Sequence, residues 1–167
     1  MRCYAQLIAA AVLATLRSLT AAAELTPAPN GLQRPDGYPD WRLIGVSHRT
    51  ENGTLRAILG NDVAIAAARE GHTKPWPEGT VLAKIVWKER SHPKFATAIV
   101  PDALVHTEFM VKNSARYAAT GGWGFGRWLG TEQRPYGTDA NFAQECFGCH
   151  AGAKDSDWVF TTPVHLP

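Results

Sequence analysis

Two cysteines one helical turn apart, with a histidine directly after the second, constrain this chain more than any other feature. The pattern is Cys-x-x-Cys-His, carried by Cys146, Cys149 and His150 in "ECFGCHAGA", and only 17 residues of the 167 follow it. Such spacing asks for a helix late in the chain, with the rest of the sequence shaping a site around it.

Three chemistries use thiols in this way. A structural zinc site takes four ligands, usually as two close pairs. This chain has one cysteine pair and an adjacent His, and His165 as a fourth ligand gives a spacing that matches no common zinc module. A thioredoxin-like redox pair opens a helix early in a βαβ unit, whereas this pair lies at the far end with a His attached. A c-type haem uses every position: the two thiols add to the haem vinyl groups and the imidazole becomes an axial iron ligand. The pattern therefore points to one covalent haem c held by Cys146, Cys149 and His150, with His150 on the iron. The preceding "TDANFAQECFGCH" reads as its helix. Thr138 or Asp139 is the expected N-cap, and Phe142, Cys146 and Cys149 share one face at i, i+4, i+7, turned toward the haem.

The opening of the chain agrees with that chemistry. Residues 1–23 combine Arg2, the apolar run "AQLIAAAVLATL" and small residues before Glu24, which reads as a secretory signal cut at Ala23/Glu24. The run is too short to span a bilayer. The expected mature protein is one periplasmic domain, 24–167, without a membrane span. The signal carries off Arg2, Arg17 and Cys3, so Lys+Arg falls from 17 to 15 against 15 Asp+Glu. A chain of that balance has no electrostatic footprint for nucleic acid.

Between these ends the pattern is mixed. Residues 24–40, "ELTPAPNGLQRPDGYPD", read as an extended arm. "WRLIGVSHRT" and "TLRAIL" flank "ENG" as a hairpin. "NDVAIAAAREG" reads as a short helix capped by Asn61 or Asp62 and stopped by Gly71, and "KPWPEG" as a turn. "TVLAKIVWKER" alternates, with Val81, Ala83, Ile85 and Trp87 opposing Leu82, Lys84, Val86 and Lys88. "ALVHTEFMVK" does the same, with Val105, Thr107, Phe109 and Val111 opposing His106, Glu108 and Met110. "NSARYAATGG" is a turn or short helix and "WGFGRWLG" a Gly-rich strand. The expected fold class is α+β: an antiparallel β-sheet with a few helices, the haem carried on a C-terminal helix. Four long helices are excluded by the β-branched runs and Gly/Pro breaks. The small electron-carrier pattern, an early motif and a later Met, is also absent.

Three runs in order, "WPEGTVLAKIVWKER", "HTEFMVKNSARYAATGGWGFGRW" and "CFGCHAGAKDSDWVFT", resemble the cytochrome P-460 family, which includes the sheet-type cytochromes c′ (cytochrome c′-beta). The likeness covers most of residues 38–163. It implies an antiparallel sheet, a homodimer and a periplasmic haem c with an open distal site. P-460-type members oxidise hydroxylamine, and some handle nitric oxide, on a haem with an extra covalent bond from a lysine. The c′-beta members lack that bond, bind nitric oxide and close the distal pocket with phenylalanines. Cys146, Cys149 and His150 match the family motif. Lys84, separated by four residues from the Pro77-Glu78-Gly79 turn, is the candidate for the lysine, with Lys88 and Lys74 behind it. Glu108 and Glu132 are candidates for a distal base, and Phe95, Phe109 and Phe125 for a cap.

Three functions compete. An oxidoreductase for hydroxylamine or nitric oxide, passing electrons to a partner cytochrome, needs a base over the iron and the lysine bond. A nitric oxide or other gas binder needs an apolar distal face. An electron carrier needs a sixth protein ligand, for which His48, His72, His92, His106, His165 and Met110 are available.

Overall fold

The computed structural model describes residues 25–165. The expected signal segment lies outside them. Six strands form one antiparallel sheet in sequence order: β1 (Arg42–Arg49), β2 (Thr54–Gly60), β3 (Val81–His92), β4 (Phe95–Lys112), β5 (Trp123–Leu129) and β6 (Arg134–Pro135). Helix α1 (Asp62–Glu70) fills the β2–β3 connection, and helix α2 (Phe142–His150) follows the sheet and runs on into a 3-10 turn, Ala151–Ser156. The architecture is α+β, as the pattern implied. Among the described residues no helix is long and apolar enough to cross a membrane.

Local chemistry explains the elements. Residues 50–53 turn β1 into β2, with Gly53 at φ 61°, a left-handed conformation open to glycine at no steric cost. Asn61 caps α1: its side-chain oxygen accepts from Ala64 N at 3.0 Å and Val81 N at 3.1 Å, and its amide donates to Gly79 O at 2.9 Å. A cap of this kind is worth about 1 kcal/mol, and this one also ties the helix start to the start of β3. Gly71 ends α1 at φ 75°.

The alternation sorts the sheet into two faces. On one, Ala83, Phe109 and Trp128 pack with Ala28, Leu32 and Phe142. The Phe109 ring meets Tyr38 and Trp128 edge-on, at 5.1 and 5.6 Å between centroids, geometry that suits aromatic quadrupoles. The N-terminal arm is thus more than a linker. It buries Ala28 and Leu32 and is pinned by Trp128 Nε1 donating to Thr26 O at 3.0 Å. On the other face Ile58, Leu82, Trp123 and Phe125 pack with α1 and with Val159.

Two local expectations are corrected. β4 begins at Phe95, not near Ala103: its first half pairs with the end of β3 through register shifts around Trp87 and Glu89, where Glu89 faces Pro101. Bulged pairing of this sort accommodates a proline that a regular ladder cannot. Helix α2 starts at Phe142 behind Asn141, which makes no side-chain cap. Asp139 instead accepts from Asn141 N at 2.8 Å, so it closes the preceding turn.

Candidate functional site

Three rows of paired residues cross the face that carries Leu82. Arg56, Val86 and His106 form the first, Ile58, Lys84, Glu108 and Arg127 the second, and Gly60, Leu82, Met110 and Phe125 the third. The wall is therefore apolar at one end, charged in the middle and cationic at the other. Against it stand Cys146, Cys149 and His150 from α2, and Val159, Phe160 and Thr161 from the chain after it. Together they enclose a cavity of about 860 Å³, within the range of cofactor sites.

The chain's own backbone orients His150. Its Nδ1 donates to the carbonyl of Trp158 at 2.6 Å, which leaves Nε2 with a free lone pair. Burial pushes the imidazole below its ordinary range, and the Trp158 hydrogen bond only partly opposes this, so the ring is neutral and fit to ligate. Phe125 and Phe160 flank the ring at 5.3 and 5.2 Å. Cys146 is half-buried and Cys149 exposed. Burial raises the Cys146 thiol, with Arg127 opposing.

Lys84 and Glu108 lie side by side on the cavity wall as an ion pair. Arg127 Nε donates to Glu108 Oε1 at 2.6 Å, and His106 Nε2 lies 3.3 Å from the same oxygen. Burial alone would raise the Glu108 carboxyl. Lys84, Arg127 and His106 outweigh it and bring the group down to about 2. His106 is brought down to about 4, chiefly by burial, which the nearby Glu108 offsets only in part.

The other candidates fall elsewhere. Neither Lys88 nor Lys74 lines the cavity. Glu132 is on the surface beside Arg134 at 3.5 Å, and Phe95 is exposed on the β3–β4 hairpin. Phe109 borders the cavity, but its ring packs into the opposite face, as does Phe142, which meets Tyr136 rather than the cavity. Only Phe125 of the three cap candidates turns its ring to His150. Of the six candidate sixth ligands, His106 and Met110 reach the wall. Sequence reasoning missed Arg49, Arg56, Arg127 and Phe160. Arg56 and Arg127 stand two residues from Ile58 and Phe125, so strand alternation alone would have placed them on the same face.

These residues fit a haem. The apolar end accepts a macrocycle, the thiols and the free Nε2 share one wall, and the Nε of Arg56 is buried without a hydrogen-bond partner. Burial and the neighbouring Arg49 hold Arg56 below the usual guanidinium range, a cost that a haem carboxylate would relieve. Among the described residues no group of three or more His, Cys, Asp or Glu side chains converges as a site for a bare metal ion.

An antiparallel sheet closed by a late Cys-x-x-Cys-His helix, over a cavity of haem dimensions, defines a sheet-type haem cytochrome. The family model for Cytochrome P460 matches residues 35–161. The chain belongs to the cytochrome P460 family. No curated protein matches it.

The charged row makes a pH prediction. His106 and Glu108 both bind protons less readily folded than unfolded, so acid favours unfolding. The His106 contribution is complete above about 6.5 and lost as pH falls through about 4; that of Glu108 is complete above 4.5 and lost toward about 2. Urea midpoints are expected to fall steadily over this window, and His106→Asn is expected to flatten its upper part. An unchanged slope in that variant contradicts the assignment.

Proposed function

We propose that the chain is an exported, periplasmic mono-haem c cytochrome that oxidises hydroxylamine or nitric oxide and passes electrons to a partner cytochrome, acting as a homodimer. One observation carries this reading: Lys84 and Glu108 share a single cavity with Cys146, Cys149 and His150. The thiols hold the haem by thioether bonds, and His150 is the protein ligand to its iron. Bound haem supplies an electron acceptor and a coordination position for a small nitrogenous ligand.

The residues of the wall handle protons and position. Oxidising hydroxylamine releases protons along with electrons, and Glu108, which lines the cavity, would be the carboxylate to accept them. In its present ion pairs it is a weak base. Were a haem held in this cavity, Lys84 would be the residue to bond a ring carbon. That bond would replace one hydrogen on the amine and one on the ring, a two-electron oxidation that would need an external oxidant such as a peroxide. It also withdraws the cation that lowers Glu108 most, so the carboxyl rises toward the range of a useful general base. The lysine tie and the distal base are then two parts of one device.

The ion-paired state of Glu108 favours a second reading, a nitric oxide binder of the cytochrome c′-beta kind. If Lys84 stays unbonded, the cavity offers Phe125, Leu82 and Met110 as an apolar face and no good base.

Peptide mapping separates the two. The "VLAKIVWK" segment is expected to be covalently tied to "CFGCH" through the haem, with a red-shifted Soret band. Lys84→Ala is expected to remove the tie, restore an ordinary Soret position and abolish hydroxylamine oxidation while nitric oxide still binds. An untied Lys84 in the haem-loaded wild type would make the gas-binding reading the better one.

A further inference from the structure

Lys112, the last residue of β4, is buried, and its Nζ lies 2.8 Å from both carboxylate oxygens of Asp157, which is buried as well. Asp157 also accepts from Trp76 N at 2.9 Å, and the ammonium sits 4.9 Å from the centre of the Trp123 ring. None of these groups lines the cavity. A buried ion pair is weak evidence for a role in stability, since apolar residues of similar volume often serve as well.

What Asp157 anchors is a pair of strained residues. Asp157 and Trp158 both adopt left-handed backbone conformations, φ 54° and 59°, which are disfavoured for residues with a Cβ and persist where surroundings over-determine them. Trp158 N donates to Ala153 O at 2.8 Å, and its indole lies so close over Gly121 that a Cβ there would fall 2.8 Å from the ring. The carbonyl thus fixed is the one that accepts from His150 Nδ1.

We propose that the Lys112–Asp157 pair is a positioning device for His150, acting through the Trp158 carbonyl. It rests on the reading that His150 ligates the haem iron. A firm Nδ1–H···O bond makes Nε2 a stronger donor, which strengthens the iron–His bond and stabilises the oxidised iron, setting the potential at which the site gives up electrons.

The test uses haem-loaded Lys112→Gln, Asp157→Asn and Lys112→Arg. In the ferrous state, the first two are expected to move the iron–His stretching band in resonance Raman to lower frequency and to raise the midpoint potential. Lys112→Arg is expected to return both toward wild type. Variants that lose thermal stability but keep the wild-type band would overturn the proposal and leave the pair a purely structural feature. A wild type without any iron–His band would refute the ligation reading itself, a separate outcome. Should the variants not fold, hydrogen exchange on the wild-type ferrous carbonyl form decides. The His150 Nδ1 proton and the Trp76 amide both depend on Asp157, so they are expected to exchange through one opening event at matching protection. A ring proton exchanging much faster than that amide overturns the proposal.

Discussion

Cys146→Ala combined with Cys149→Ala is expected to abolish acid-stable haem retention. The wild-type protein is expected to gain the mass of one haem that survives acid-acetone extraction, each single variant to keep one thioether, and the double variant to yield freely extractable haem or none. The magnitude follows from tethering. A thioether keeps the macrocycle at the high effective concentration of a short link, and a group that binds only the folded chain stabilises it by mass action, about 4 kcal/mol at a thousand times its dissociation constant. Losing both bonds therefore costs haem and fold together. The two positions are not equivalent. Cys146 packs against both apolar clusters while Cys149 is exposed, so Cys146→Ala is expected to weaken even the haem-free chain, and Cys149→Ala is not. Haem that extracts freely from the wild type would end the covalent reading.

Much of the fold was readable because its determinants are local. Alternation in "TVLAKIVWKER" fixed which face Lys84 shares with Leu82, and Asn61 and Gly71 bounded α1 by capping chemistry alone. What escaped depends on partners far along the chain. Pro101 and Asp102 interrupt the pattern of β4, and only the bulged ladder with β3 makes a strand of that stretch. Thr138 and Asp139 look like helix caps, yet Gly137, at φ 96°, packs so tightly against Phe142 that a Cβ would lie 2.8 Å from it, and the chain turns there before the helix begins.

The site divides in the same way. Cys146, Cys149 and His150 announce themselves by spacing, since the chemistry needs them on one turn. Alternation puts Arg56 and Arg127 on the face of Ile58 and Phe125, but that Arg127 lies beside Glu108 and Arg56 beside Val86 and His106 follows from cross-strand register, which a single sequence does not display. The Trp158 carbonyl is a backbone group and carries no residue signature at all. Its position depends on two left-handed residues that no propensity favours, held by Lys112, which reads in the sequence as the polar end of a strand.

That buried pair carries the other large expected effect. Lys112→Met leaves the Asp157 carboxylate buried with a single amide donor, the Trp76 N–H. Removing one partner of a buried ion pair typically costs about 3–5 kcal/mol, because the remaining charge is uncompensated. For a domain of this size that is a fall in Tm of roughly 6–20 °C. Asp157→Asn alone leaves the Lys112 ammonium buried over Trp123 and is expected to cost a similar amount. The two together should cost less than either, since Asn still accepts from Trp76 N and no unpaired charge is left. A double-mutant cycle in urea measures this directly. Single variants costing under about 1 kcal/mol would match a solvated surface pair and contradict the burial of Lys112 and Asp157. A strictly additive double would show that the two charges do not depend on each other.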